Sequence, residues 1–477
     1  MLATLGDRIS RIFRAVVPDP FVIAVLLTLL VLGLAWWRVD ANAPEGVGPF
    51  DSFVQVIGFW SDPSNGIWKF LGFGMQMCLI LVTGFTLAES PPVNRLLTRL
   101  ADVPRSGRSA VALVAVVSCS LSLINWGFGL IGGALFATFV GRAMSKRGIH
   151  APMPILAAAA YMSLMVWHGG LSGTAPLKVT TPAQIADVLP EGVILEPIPL
   201  SRTILSPLNM VITFGLVAIA ATVLFLLVHK DTIDPKQVAE SSHAPRASHS
   251  RTPPSDSDRS ILVKLLEDSP IINMCLAAMI GIWAWKFYVP DSGGIAQSGI
   301  MRLSPDEVNL TMLMLGLILH GTPRRFLSSV ERAAGSCGGI ILQFPLYAGI
   351  MGMMHASGLT AWIADGIASI GTRSTLPALT CVSAGVVNLF VPSGGGQWAV
   401  QGPIVVKSAV DAGADVPTMV MALSYGDQLT NMLQPFWALP LLAITGVRAR
   451  DMVGYSAIVM VIAFVWVIGC LLVAGML

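Results

Sequence analysis

The stretch NLFVPSGGGQW, residues 388–398, interrupts an otherwise apolar run at 375–410. Pro392 has no amide hydrogen to donate, and the three successive glycines that follow are poor helix formers, so a helix cannot pass through unbroken. Lipid offers no partner to a free backbone amide. A break at membrane depth therefore survives only where protein or a watery cavity satisfies it. Amides left open at a helix N-terminus carry partial positive charge and suit a carboxylate. On this reading Asn388, Ser393, Gly394, Gly395, Gly396, Gln397 and Gln401 are candidates to line an anion cradle. The plainer reading, glycines that only let helices approach closely, leaves the proline unexplained.

The rest of the chain supports placing this break in a membrane. Of 477 residues, 54% are hydrophobic and 12% charged, against about 25% charged in ordinary soluble domains. Apolar stretches long enough to cross a bilayer recur along the whole length. The expected fold is an all-α polytopic membrane protein with about eleven transmembrane helices plus two re-entrant helical hairpins in an inverted repeat. The net charge of +2 carries no basic stripe, so no nucleic-acid partner is expected. Six cysteines without a CxxC pair read as small buried hydrophobes, not as disulfides or metal ligands. Methionines and tryptophans at segment ends read as packing and interface anchors.

Positive charge in short loops sets the orientation. Arg8, Arg11 and Arg14 alternate with Leu5, Ile9, Ile12, Phe13 and Val16 at helical spacing, which predicts an amphipathic helix on the cytoplasmic face and a cytoplasmic N-terminus. The apolar stretch 109–141 has basic clusters at both ends and is too short for two crossings of about 20 residues and a turn. It reads as a re-entrant hairpin, and 375–410 reads as a second. Residues 229–260, rich in Ser, Pro and charge, read as a cytoplasmic linker. The expected organisation is a first repeat at 1–228, a linker at 229–268, a connecting helix at 269–290 and a second repeat at 306–477.

Landmarks recur in the same order in both halves. Gln76 corresponds to Gln343, Asn125 in INWGFG to Asn388, and the break HGGLSGT (168–174) to YGDQLTN (425–431). Paired breaks of this kind are the best sequence-level pointer to a carrier site near the midplane. Asn125, Gly127 and Gly129 would mirror the second hairpin tip; Ser172, Thr174, Thr430 and Asn431 would add neutral donors and acceptors. Asp427 is the only carboxylate expected at depth and is a candidate carrier of a proton or sodium ion. His168 is a cavity residue or a proton carrier. No cofactor is expected beyond Na+ or H+ as coupling ion. Three rival readings carry less. Gly170–Gly173 matches the GxSG of intramembrane serine proteases, with His355 as partner, but leaves the mirrored half unexplained. A passive channel and a dicarboxylate carrier also stay open, the latter without a lysine or arginine at depth to hold a second carboxylate.

Five segments carry a family resemblance: VPDPFVIAVLLTLL (17–30), FGMQMCLILVTG (73–84), INWGFGL (124–130), FVPSGGGQWAVQGP (390–403) and NMLQPFWALP (431–440). In this order, across nearly the whole chain, they resemble the bacterial short-chain fatty acid transporter family. The resemblance implies uptake of small monocarboxylates such as butyrate or acetoacetate across the cytoplasmic (inner) membrane. It also implies membership of a broader ion-transporter superfamily with paired hairpins, in which a homodimer is one permitted assembly. Three positions depart from the family pattern: Gln397 in place of histidine, Asp427 in place of glutamate and His168 in place of glycine.

Overall fold

Proline marks where many of the helices begin. Pro20, Pro91, Pro207, Pro323 and Pro435 each stand in a first turn, where a missing amide hydrogen leaves no bond unmade. Side-chain oxygens close several of these ends. Asp19 accepts from Phe21 N at 2.9 Å, Ser206 from Asn209 N at 3.2 Å and Asp415 from Thr418 N at 3.0 Å. The computed structural model describes residues 18–182, 185, 196–228, 260–289 and 305–476, and these are helical with no strand among them. The N-terminal amphipathic helix expected at 5–16 and most of the linker lie outside the described residues; from Ile261 to Asp268 the chain is helical.

Eight helices among the described residues are long and apolar enough to cross a membrane, and Leu71–Leu87 with Pro91–Ala101, bent by 81°, makes a ninth candidate. The sequence predicts about eleven. The shortfall has a physical basis. Pro305–His320 has 16 residues, while Val416–Thr430 and Pro435–Thr445, with 15 and 11, are two pieces of one interrupted path. Burial sorts the spans into layers. Only 17% of the most apolar window is buried in Pro20–Asp40 and in Ile261–Tyr288, against 89% in Met153–Leu177. The interrupted segment is therefore central, as its need for internal backbone partners demands.

Two helical hairpins flank it. In the first, Gly107–Ile124 ends at Asn125, whose extended backbone turns the chain, and a π turn at Phe128–Gly132 leads into Gly133–Lys146. The limbs lie close because their facing residues are small: a Cβ on Gly129 or Gly133 would run into Ser122 or Ser118. The second hairpin joins Leu376–Asn388 to Gly394–Ala412. Its break falls at 389–393, so the three glycines form the first turn of the returning helix instead of lying in the break itself. Each hairpin is followed by a broken helix. Met153–Tyr161 passes through 3-10 turns at Met162–Met165 and Trp167–Gly169 before Thr174–Leu177. In the second, the helix Val416–Thr430 runs unbroken through YGDQLTN almost to its end, and the interruption falls at the 3-10 turn Asn431–Leu433 and at Gln434. Gly426, expected to mark that break, instead permits contact: a Cβ there would collide with the carbonyl oxygen of Cys381 on the packed hairpin limb.

Candidate functional site

The two broken helices meet at their interruptions, and each supplies the polar groups that the other's freed backbone needs. Tyr161 Oη lies 2.6 Å from Asn431 O and 2.8 Å from Gln434 O, so one hydroxyl serves both carbonyls at the second break. In return Gln428 Oε1 accepts from the amides of His168 and Gly169, each at 3.1 Å. Asn388, at the end of the second hairpin's first limb, binds across the same junction. Its Nδ2 donates to Asp427 O at 2.7 Å, Thr430 Oγ1 at 3.0 Å and Asn431 Oδ1 at 2.9 Å, and Gln434 Nε2 donates to its carbonyl oxygen. Satisfying the break internally is what makes it tolerable at this depth.

His168 and Asp427 form the charged centre of the junction. They are 0% and 1% exposed, with Nδ1 2.5 Å from Oδ2. Asp427 is the only carboxylate, and no lysine or arginine stands, among the buried groups of the described residues. The other ring nitrogen decides the tautomer: His168 Nε2 accepts from the Ala175 amide at 3.0 Å. A neutral imidazole holding an acceptor at Nε2 must carry its proton on Nδ1, which then donates to Asp427 Oδ2. Trp167 stacks on the imidazole, with centroids 4.3 Å apart and planes at 20°.

A cavity of about 170 Å³ opens beside this pair. Trp126 from the first hairpin tip, Ser393, Gly394 and Gly395 from the second, Trp167 and Thr174 from the first broken helix and Trp437 from the second enclose it, with Phe73 and Leu164. Its walls are aromatic rings and Leu164, except where Thr174, Ser393, Gly394 and Gly395 stand. There Ser393 caps the 19-residue helix Gly394–Ala412 by accepting from Gly396 N at 3.2 Å. As the first two residues of that helix, Gly394 and Gly395 have amides with no partner within it, and both residues face the cavity. Among the described residues no charged side chain lines the space.

Of the candidates drawn from sequence, Thr174, Ser393, Gly394 and Gly395 reach the cavity; the others brace it. Asn125 Oδ1 accepts from Gly127 N at 2.9 Å, capping the first hairpin's returning limb and occupying an amide expected to hold ligand. Gly129 is taken up by limb packing. Ser172 Oγ accepts from Trp126 N at 3.0 Å and so ties the broken helix to the hairpin tip. Gln397 Nε2 donates to Ala384 O at 2.8 Å and Gln401 Nε2 to Ser383 Oγ at 3.0 Å, both between the limbs. The Gly396 amide is taken by the Ser393 cap, and Thr430 and Asn431 accept from Asn388 at the junction. The aromatic wall was missed because a tryptophan that lines a cavity looks, in sequence, like one that packs. The available signals were position alone: Trp126 directly follows the first break and Trp437 sits just after the last. The serine-protease geometry is not formed, since Ser172 bonds a backbone amide, His168 is engaged at both nitrogens and His355 is exposed.

A multi-pass helical membrane protein with a small aromatic cavity at the crossing of two broken helices has the build of a solute carrier. The chain belongs to the short-chain fatty acid transporter family, whose pattern matches residues 1–474; it is a transporter and not an enzyme. It is 36% identical over 459 residues to an Escherichia coli K12 protein provisionally named a short-chain fatty acid transporter, covering 95% of this chain and 96% of that one. A Haemophilus influenzae protein of the same name is 35% identical over 463 residues, covering 94% and 95%. Among solved structures, Neisseria gonorrhoeae MtrF, described with a class of antimetabolite efflux pumps, aligns over 96% of this chain and 95% of its own with 16% identity and a TM-score of 0.42. The Alcanivorax borkumensis YdaH transporter aligns over 96% and 98% with 15% identity and a TM-score of 0.43.

Proposed function

We propose that this chain takes up small monocarboxylates, of the size of butyrate or acetoacetate, across a bacterial cytoplasmic membrane, and that a cation moves with each. The observation that supports this most is the asymmetry of the cavity. One end offers the open first-turn amides of Gly394 and Gly395, and the remainder is indole and phenyl surface. A single carboxylate finds donors and partial positive charge at that end. Among the described residues a dicarboxylate finds no second cluster of donors or cationic side chain. A short alkyl tail is matched by the aromatic walls, which also limit its length.

The His168–Asp427 pair is the site proposed for coupling. An anionic substrate and an ionised Asp427 repel each other in a medium of low dielectric, so an added cation at the pair favours loading. A proton suits it. Placed on His168 Nε2, a proton turns the acceptor of the Ala175 amide into a donor, and two donors then face each other. The Gly173–Thr174 segment, which reaches the cavity through Thr174, must shift. The resulting imidazolium remains paired with Asp427 and stacked on Trp167, both favourable to it. Protonation and the shape of the cavity wall are thereby linked.

Uptake of labelled butyrate and acetoacetate into proteoliposomes under an imposed proton or sodium gradient tests both parts. Accumulation driven by a proton gradient is expected. Accumulation driven by sodium alone removes the protonation step but keeps the substrate. No accumulation of either acid under any gradient overturns the monocarboxylate reading.

A further inference from the structure

We propose that the short helix Pro91–Ala101 lies in the headgroup layer of the membrane and that its Arg95 and Arg99 bind the headgroups of anionic phospholipids. The helix leaves the apolar helix Leu71–Leu87 at 81°. Where the latter runs through the bilayer, the former runs along its surface. Its faces suit that depth. Leu97 packs on the protein core and Ala101 is fully buried, against the returning limb of the first hairpin, Gly133–Lys146. The flank beside this packed face is apolar and open. Leu96 and Leu100, one turn apart, are 57% and 43% exposed, and Val103, just past the helix end, is 63% exposed. Arg95 and Arg99 stand on the next flank, also one turn apart and exposed.

Charge selects the lipid. Between 91 and 108 the chain has four arginines and a single carboxylate, Asp102. Arg95 and Arg99 have no ion-pair partner among the described residues. Arg147 adds positive charge at the helix end, where it donates to the carbonyl oxygens of Asp102 and Ala101 at 3.1 and 3.5 Å. Zwitterionic headgroups offer such a cluster no net charge, whereas anionic ones do. A second helix marks the same level. Pro323–Ala334 is tied to the end of Leu71–Glu89 through Glu89, whose Oε2 accepts from Ser329 and Arg332 at 2.6 Å each. It leaves Leu327 56% exposed and Arg325 exposed as well. Two short helices at one end of the molecule, each with open leucine and open arginine, fit a bilayer surface passing there. Leu96 and Leu100 then enter the acyl boundary while Arg95 and Arg99 stay among the phosphates.

The test is site-directed fluorescence quenching of the full-length protein in liposomes. Cys275→Ser and Cys470→Ser remove the exposed and half-buried thiols, the other cysteines being buried. A bimane label is then attached at Leu100→Cys, on the apolar flank, or at Thr98→Cys, on the far side of the arginines. Lipids with brominated acyl chains should quench the label at 100 and spare the one at 98. Comparing brominated phosphatidylglycerol with brominated phosphatidylcholine at position 100 reads the local lipid preference. It should favour phosphatidylglycerol by about fivefold for each arginine engaged. Arg95→Gln with Arg99→Gln should abolish that preference without changing quenching by phosphatidylcholine. Salt at about 1 M, where the Debye length falls to ~3 Å, should weaken it in the unsubstituted helix, which tests the charge even if the double variant folds poorly. A label at 100 that no brominated lipid quenches means that protein or water covers this flank, and overturns the proposal. An undiminished preference for phosphatidylglycerol in the double variant, or at high salt, overturns it equally.

Discussion

Removing His168 should harm this protein more than removing His168 and the Asp427 charge together. In the unmodified chain the Asp427 carboxylate is 1% exposed and accepts from His168 Nδ1 at 2.5 Å. His168→Ala leaves that carboxylate buried without its donor, a loss of about 3 kcal/mol for a hydrogen bond to a charged group. It also releases the Ala175 amide, at about 1 kcal/mol. Asp427→Asn acts differently. The amide oxygen can still accept from Nδ1–H, so a charge-assisted bond becomes a neutral one at a cost of ~1 kcal/mol, partly offset because no charge is then buried. The double variant contains no stranded charge and loses neutral hydrogen bonds only, about 1–3 kcal/mol. Adding Asp427→Asn to His168→Ala should therefore recover roughly 2 kcal/mol, a coupling well above the scatter expected of independent sites.

The assay is apparent melting temperature in lipid nanodiscs, followed by intrinsic fluorescence at one scan rate because unfolding of such proteins is often irreversible. The expected order, from most to least stable, places the unmodified protein and Asp427→Asn together, the double variant next and His168→Ala last. A His168→Ala protein as stable as the parent, or one not rescued by Asp427→Asn, would refute the assignment of an ionised carboxylate held by a neutral imidazole. The same proteins report on transport. Asp427→Asn should lose gradient-driven accumulation of butyrate while keeping butyrate–butyrate exchange, and full accumulation would remove Asp427 from coupling.

Three further outcomes follow from close contacts and shared bonds. Gly426→Ala drives a Cβ into the Cys381 carbonyl and to within 2.8 Å of Gly385 N, an overpacking that should cost about 1–3 kcal/mol; a variant that melts with the parent would show that the hairpin does not press on this helix. Gly395→Ala meets nothing nearer than Thr174 Cγ2 at 3.7 Å, so it should fold normally yet narrow the polar end of the cavity, raising KM severalfold for butyrate more than for acetate. Equal changes for both acids would count against this end as the carboxylate seat. Asn388→Ala deletes a donor shared by three acceptors and should lower stability by about 2 kcal/mol, read as a fall in apparent melting temperature; no fall would mean that the junction is held by other bonds.

Part of this arrangement is legible in the chain because some residues carry one meaning in lipid. Pro392 directly followed by Ser393 and three glycines marks the turn of the second hairpin, where proline alone would not, since Pro345, Pro403 and Pro440 stand inside helices. A lone aspartate in an apolar segment must be buried among partners, and Asp427 is. Glycine is the opposite case, since it marks both a broken helix and a close approach. Gly173 belongs to an interrupted backbone, whereas Gly426 sits in unbroken helix and makes room for a neighbouring carbonyl. Both lie against a backbone carbonyl, and only the conformation of the chain around each distinguishes them. Tryptophan is ambiguous in a second way. Trp126, Trp167 and Trp437 wall the cavity, yet each has the apolar character of the packing residues around it.

The pairing of His168 with Asp427 shows why the remainder needed three dimensions. Each residue is identifiable alone as an ionisable group in an apolar run, but nothing in either local sequence specifies the other. Their contact depends on two separate helices breaking at the same depth. It depends also on Tyr161 and Gln428 reaching across to satisfy each break from the opposite side. Once that crossing forms, His168 has a carboxylate at one nitrogen and a backbone amide at the other, and its tautomer follows without further freedom. Thus the state of one proton depends on bonds between segments remote in sequence, and it is tied through Ala175 to the adjoining Thr174 on the cavity wall. A lone histidine in a straight helix would have no such link. The broken helix places this one at the junction and the separate hairpin turn at 389–393 opens the amides of Gly394 and Gly395, so the feature proposed to admit a substrate and the feature proposed to sense a proton come from two breaks that meet at one cavity.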